Sequence, residues 1–400
     1  MTGACAICGG AESLAIDRRD AVPVAQNLLF RTREEALACP TGSLDMRRCT
    51  RCGFVWNARF DPGLRAYGAD YDNEQAFSPR FRRHSGEVAS AIAAHLRGSG
   101  PVDLLEIGCG QGTFLAILAQ ALGDRWRSGL GFDPAWKGDP AALPPSAEVR
   151  ADYFRSVDED RPVSAVVSRH VIEHVPDPLA FLRTIRAGVE DGTPLFIETP
   201  DVDWTLGQGA FFDLYYEHCS LFTPSSLRLA LERTGFVPES VEPVFDGQYL
   251  LATAVAAPWG QSPGTVPAPG GQSLGTVTGD CPPFGDFGYR ERRDRCLDRI
   301  DGLVDERRRA GGRVALWGGG SKGVTLSLML PGPERIDCAI DINRRKQGGF
   351  MPASGLPIVS AEQARDRGIT TALVMNPAYL DEIGILSAEQ GLGFELVPVE

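Results

Sequence analysis

The sequence predicts an α/β protein: two doubly wound parallel sheets in succession, behind a small cysteine-rich module. Three observations carry this. Two apolar runs, Val102–Ile107 and 313–317, each end in a glycine-rich turn that opens a helical pattern. Strand and helix patterns alternate from 102 to 256 and again from 286 to 400, the rhythm of parallel sheets covered by helices. Two Cys-x-x-Cys pairs, Cys5/Cys8 and Cys49/Cys52, mark the start of the chain.

Bulk properties narrow the function classes. The chain has 400 residues, 43% hydrophobic and 23% charged, enough for more than one domain. A net charge of −12 argues against an electrostatic grip on nucleic acid, which needs clustered Lys and Arg. No apolar run reaches the about 18 residues of a membrane span, and the start lacks a signal-peptide pattern. A cytosolic enzyme acting on a small molecule is expected, with its ten cysteines as thiols or metal ligands.

Residues 1–60 are expected to form a zinc-binding module. Cys5, Cys8, Cys49 and Cys52 can place four thiolates around Zn²⁺, and Gly9 and Gly53 relieve the turn behind each pair. The long gap between the pairs points to a strand-rich insert, with Cys39 as a spare buried thiol. Four protein ligands leave no open position, so the metal is structural. From Asp61 to His84 the chain is rich in aromatic and polar groups, among them Tyr67, Tyr71, Phe77 and Phe81. This stretch is expected to lie over a ligand as a lid or to pack at a domain junction. A helix follows over 78–98.

The domain 61–256 carries the first loop. Glu106-x-Gly108-x-Gly110-x-Gly112 follows the strand Val102–Ile107 and precedes the helix Thr113–Leu122, with the acid before the first glycine as in S-adenosylmethionine methyltransferases. The next strand, 128–132, ends at Asp133, where a carboxylate accepts ribose hydroxyls. Asp152 stands where a third-strand acid can accept an adenine amine. The fourth strand, 164–168, ends in Ser168-Arg169-His170-Val171-Ile172-Glu173-His174 at the same ligand-binding edge. Helices 178–189 and 224–235, strand 194–198 and the closing antiparallel pair 238–245 and 248–256 complete the sheet. Just after the fifth strand, Tyr215-Tyr216-Glu217-His218 combines a histidine able to take a proton near neutrality with a carboxylate and a phenol.

Residues 257–285 are dense in Pro, Gly, Ser and Thr and contain a direct repeat, Gly260–Val266 and Gly271–Val277, so a linker is expected. The domain 286–400 opens with a charged helix, 287–310. Strands at 313–317, 335–340, 357–359, 371–375 and 394–398 and a helix at 324–330 then repeat the α/β rhythm. Its loop, Gly318-x-Gly320-x-Lys322-Gly323 with Asp341 at the next strand end, also fits a nicotinamide dinucleotide; Lys322 favours a diphosphate instead.

With these motifs in this order, the chain resembles the three-domain nucleotide-sugar C-methyltransferases of deoxysugar biosynthesis over nearly its whole length. The resemblance rests on the paired Cys-x-x-Cys module, the Tyr-x-Glu-His element and the C-terminal Gly-rich, Lys-Gly loop. It implies a class I methyltransferase core between a zinc module and a second Rossmann-like domain. It also implies His218 as general base, with Glu217 and Tyr215 in the same element, His174 near the reacting carbon and Tyr71 facing the substrate. Gly318, Gly320 and Lys322 would hold the nucleotide-sugar diphosphate. The implied reaction removes a proton beside a 4-keto group and methylates the resulting enolate from S-adenosylmethionine. Tyr216 competes with Tyr215 for the family tyrosine, and His170 is a second candidate base. Other readings are a bifunctional enzyme with an NAD(P) oxidoreductase domain, a C-methyltransferase of a non-sugar substrate, and a zinc-module RNA methyltransferase.

Overall fold

The computed structural model describes residues 4–64, 77–98, 100–158, 161–258 and 284–400. The aromatic positions Tyr67 and Tyr71 and the linker repeat lie outside these residues.

The central sheet has seven strands. Ala147–Arg150, Trp126–Phe132, Val102–Ile107, Ala165–Arg169 and Pro194–Pro200 run parallel, and Tyr249–Ala256 then Phe236–Val244 close the far edge antiparallel. This is the class I methyltransferase architecture expected from the sequence. Three of its helices start alike, with an N-cap side chain followed by proline: Ser78-Pro79, Asp177-Pro178 and Thr223-Pro224. The cap oxygen takes an orphan N–H, and proline at the first helical position has none to lose. Helices Pro79–His95 and Thr113–Leu122 bury their apolar faces against Leu104, Val167 and Phe196 on one side of the sheet.

The second sheet is wholly parallel, in the order Ile358–Val359, Cys338–Ile340, Val314–Trp317, Thr371–Val374, Glu395–Pro398. Its first helix, Ser321–Met329, begins earlier than the apolar pattern predicted because Gly323 belongs to the helix. A Cβ there would lie 2.1 Å from the Gly318 carbonyl oxygen, so only glycine lets helix and loop meet. The strand expected over 335–340 is likewise shorter, its first turn being a 3₁₀ helix, Pro333–Arg335.

The amino-terminal residues form an antiparallel sheet of Ser13–Pro23, Thr41–Cys49 and Val55–Asn57, and the pair Ser220–Leu221 of the central domain adds its fourth strand. The module is therefore built into the molecule. Cys5, Ile7, Cys49, Cys52 and Phe54 share one apolar cluster with Leu105, Ile107 and Phe222 of the central domain. Ile16, Leu44 and Met46 share another with Leu214, Val314 and Val324. Among the described residues, no helix is long and apolar enough to cross a membrane.

Candidate active site

Two cavities meet at the carboxyl edge of the central sheet. The first, about 450 Å³, is lined by Glu106, Gly108, Gly110, Asp133, Asp152, Phe154 and Phe181. The second, about 250 Å³, lies between the two α/β domains and is lined by Asn27, Glu173, Tyr215, His218, Tyr249, Gly318, Gly320, Lys322 and Asp341. His170 and His174 line both and form the wall between them.

The first cavity is shaped by glycine. Gly108, Gly110 and Gly112 all have positive φ. A Cβ on Gly108 would run into Val171 and one on Gly112 into Leu143, whereas one on Gly110 would meet nothing within 4 Å. The backbone at Gly110 is thus bare on its open side, as close approach to a ligand requires. Asp133 braces the loop, accepting Gly110 N–H at 2.9 Å with one oxygen and Ala135 N–H at 2.8 Å with the other. Its carboxylate keeps further lone pairs for hydroxyls. Glu106 is fully sunk beneath the loop. Burial pushes its carboxyl up to about 8, Arg169 opposes the rise and Asp133 adds to it. Asp152 is exposed at the rim. Ser168 is buried but does not line the cavity; strand alternation turns it to the opposite face from Arg169.

The wall of the second cavity is titratable. His218 is buried, with the Tyr215 ring tilted against it at 3.8 Å and the Tyr215 hydroxyl donating to Nε2. Burial, then the neighbouring His174 and His170, hold His218 well below its ordinary value, so it is neutral. His174 stands edge-on at 5.0 Å, its Nδ1 3.0 Å from the Glu217 carbonyl oxygen. Tyr215 faces this cavity. Tyr216 points the other way, its hydroxyl taking the Asp61 N–H and its ring filling the space over Gly42. Glu217 lies behind the wall, where Oε2 accepts the Gln26 N–H at 2.7 Å and ties the amino-terminal segment to the site. Lys322 lines the cavity but is paired with Asp213 at 2.6 Å.

His170 differs in charge. Its ring nitrogens lie 3.5 Å from Glu173 and 3.5 Å from Glu198. Burial alone would lower its pKa; the two carboxylates outweigh that and raise it to about 9. Glu198 in turn joins His84 at 2.6 Å and Arg169 at 2.5 Å, and despite burial the Arg169 charge and the hydrogen bonds with His170 and His84 keep it well below the usual carboxylate range. Glu198 escaped the sequence reading as a site residue, and His84 entered it only as the end of the aromatic-polar stretch. The signal for Glu198 was present, an acid at the carboxyl end of an apolar strand, the same cue that marks Glu106.

The second glycine loop repeats the brace of the first. Asp341 accepts Gly319 N–H at 3.1 Å with one oxygen and Asn343 N–H at 2.8 Å with the other.

In the amino-terminal module the four cysteine sulfurs lie within 4.8 Å of one another. Cys5 and Cys52 are 3.6 Å apart, and Cys8 and Cys49 are 3.4 Å apart. Sulfurs held tetrahedrally by zinc at about 2.3 Å would stand about 3.8 Å apart. All four are free thiols, and Gly9 and Gly53 adopt the positive φ the knuckles need.

Comparison with known proteins matches the methyltransferase-domain family at residues 72–241 and the C-methyltransferase C-terminal domain family at residues 284–391. The chain is 26% identical over 391 residues to the C-methyltransferase NovU of Streptomyces niveus, covering 95% of this chain and 90% of that protein. Among solved structures it is similar to the Burkholderia thailandensis 1,6-didemethyltoxoflavin-N1-methyltransferase with bound 1,6-didemethyltoxoflavin and S-adenosylhomocysteine. That match has 17% identity and a TM-score of 0.36 over 45% of this chain and 82% of that one. It is also similar to a methyltransferase from Aquifex aeolicus, with 16% identity and a TM-score of 0.36 over 46% of this chain and 96% of that one.

Proposed function

Since the chain belongs to the methyltransferases that join a class I core to a C-methyltransferase C-terminal domain, we propose that it methylates the carbon beside a keto group of a nucleotide-linked sugar, through an enolate, with S-adenosylmethionine as donor. The observation that carries this reading is the shared wall. A neutral histidine and a phenol face the second cavity, and among the described residues His170 and His174 line both it and the cavity with the donor-type glycine loop.

Environments that push two titratable groups apart assign their roles. His218, neutral, is the base, and His170, already protonated between two carboxylates, cannot be. With a ketone in place the Tyr215 hydroxyl turns from His218 Nε2 to the carbonyl oxygen. Nε2 then takes the proton from the adjacent carbon while the phenol and the His170 cation face the developing negative charge. His174, fixed by the Glu217 carbonyl, closes the passage between the cavities. The donor supplies an electrophilic methyl on a sulfonium, and Glu106, the Gly108–Gly112 loop, Asp133 and Asp152 would hold it. Zinc would sit on Cys5, Cys8, Cys49 and Cys52, with a structural role only. The repeated aspartate brace favours a nucleotide at each glycine loop, adenosine at the first and the substrate's nucleotide at the second. Lys322, tied to Asp213, serves the second loop as a fixed charge, and the same brace leaves a dinucleotide at that loop as the rival reading. The test is hydrogen exchange at the carbon beside the ketone with no donor present.

The pH profile follows from the same groups. A histidine held below its ordinary value of 6.5 keeps its base form below that pH and loses it only on further acidification. The acid limb of kcat/KM is therefore expected below pH 6.5. An alkaline fall is expected near pH 9 as His170 gives up its proton. An acid limb above 6.5 would assign the base elsewhere.

A further inference from the structure

The sheet register puts three charged side chains in a row at its carboxyl edge. Glu106 on the first strand is level with Val167, and Arg169, two residues on, is level with Glu198. Residues two apart on a strand share a face, so Glu106, Arg169 and Glu198 all rise on the side covered by helices Pro79–His95 and Thr113–Leu122. Arg169 gives Nε to Glu198, and its guanidinium lies 4.0 Å over the Phe114 ring. That leaves Nη2 buried with no hydrogen-bond partner among the described residues, and Glu106 Oε2 in the same condition. Both side chains line the first cavity. A buried donor of full charge without an acceptor is costly unless a ligand completes it.

We infer that Arg169 is the receptor for the α-carboxylate of the donor's amino-acid moiety, beside a Glu106 suited to its ammonium. An amino acid carries one negative and one positive group on a single carbon, and the cavity sets an unsatisfied guanidinium nitrogen and an unsatisfied carboxyl oxygen on one face of the sheet. Of the other cations on the cavity, Lys137 and Arg345 are exposed, where solvent screens an ion pair, and His170 already lies between Glu173 and Glu198. Arg169 is 9% exposed and held by Glu198 and Phe114, so it is desolvated and oriented in advance. This assignment rests on the donor reading of the first cavity.

The test is calorimetric and needs no turnover. Binding of S-adenosylhomocysteine is compared with that of its decarboxylated analogue, S-adenosyl-3-thiopropylamine, in the full-length wild type, Arg169→Met and Arg169→Lys. Wild type is expected to prefer the carboxylated ligand by about 10–100-fold, the range of one charge-assisted hydrogen bond. Arg169→Met is expected to abolish that preference with little change in affinity for the analogue, and Arg169→Lys to keep part of it. Arg169→Lys retains the charge beside Glu198, so it decides the matter if the Met variant does not fold. Equal losses for both ligands in the Lys variant, or a preference that survives in it undiminished, would overturn the assignment. Failure of wild type to bind S-adenosylhomocysteine at all would instead remove the donor reading.

Discussion

Substituting His218 by Ala is expected to lower methyl transfer by about 10²–10⁴-fold, the usual contribution of a positioned general base. Hydrogen exchange beside the ketone should fall by the same factor, and binding of S-adenosylhomocysteine should hold. The separation follows from geometry, because His218 lines only the second cavity while the glycine loop lines only the first. His218 is buried with Tyr215 packed against it, so His218→Gln, which fills more of the space, is the companion variant. Rates within a few fold of wild type in both would exclude His218 as base. A matching loss of donor binding would mean the substitution had collapsed the shared wall.

The second large effect is on stability. Substituting Cys49 by Ser is expected to abolish stoichiometric zinc and to lower stability by more than about 4 kcal/mol, since loss of a structural metal belongs to the most damaging changes. The effect should reach the whole protein. Cys49 ends a strand whose neighbour pairs with Ser220–Leu221, two residues after His218, and the knuckles share a core with the central sheet. Metal analysis together with thermal unfolding reads both consequences. Undiminished zinc would exclude the four-cysteine site, and a lone low-temperature transition with an intact core would show the module to be energetically separate.

Much of the fold could be read from pattern. Alternating apolar strands and amphipathic helices gave both parallel sheets, and Asp133 and Asp341 were recognisable as carboxylates at second-strand ends. The elements that escaped are short or mixed in polarity. Strand Ala147–Arg150 alternates charge with small apolar groups, helices Val202–Gln208 and Ala361–Asp366 are too brief to show a period, and Leu380–Glu389 carries an exposed Ile385 that blurs its apolar face. The site was less legible because parity and partnership are not written locally. A strand buried on both faces hides which residue faces the ligand, so Ser168 and Arg169 look alike in sequence although only Arg169 lines the cavity. Glu217 and Tyr215 likewise share a motif, yet one anchors Gln26 and the other faces the second cavity. His84 and Glu198 are 114 residues apart, and only the packing of the entry helix on the sheet edge brings them together.

The most direct test of the central claim is hydrogen exchange in deuterium oxide, with a panel of nucleotide-linked ketosugars, wild-type protein and no methyl donor. Proton NMR should show deuterium entering at the carbon beside the ketone for at least one substrate, with the His218→Ala variant inactive in the same assay. Methyl transfer that proceeds from the donor with no exchange at that carbon, and with the new methyl on oxygen or nitrogen, would contradict the account.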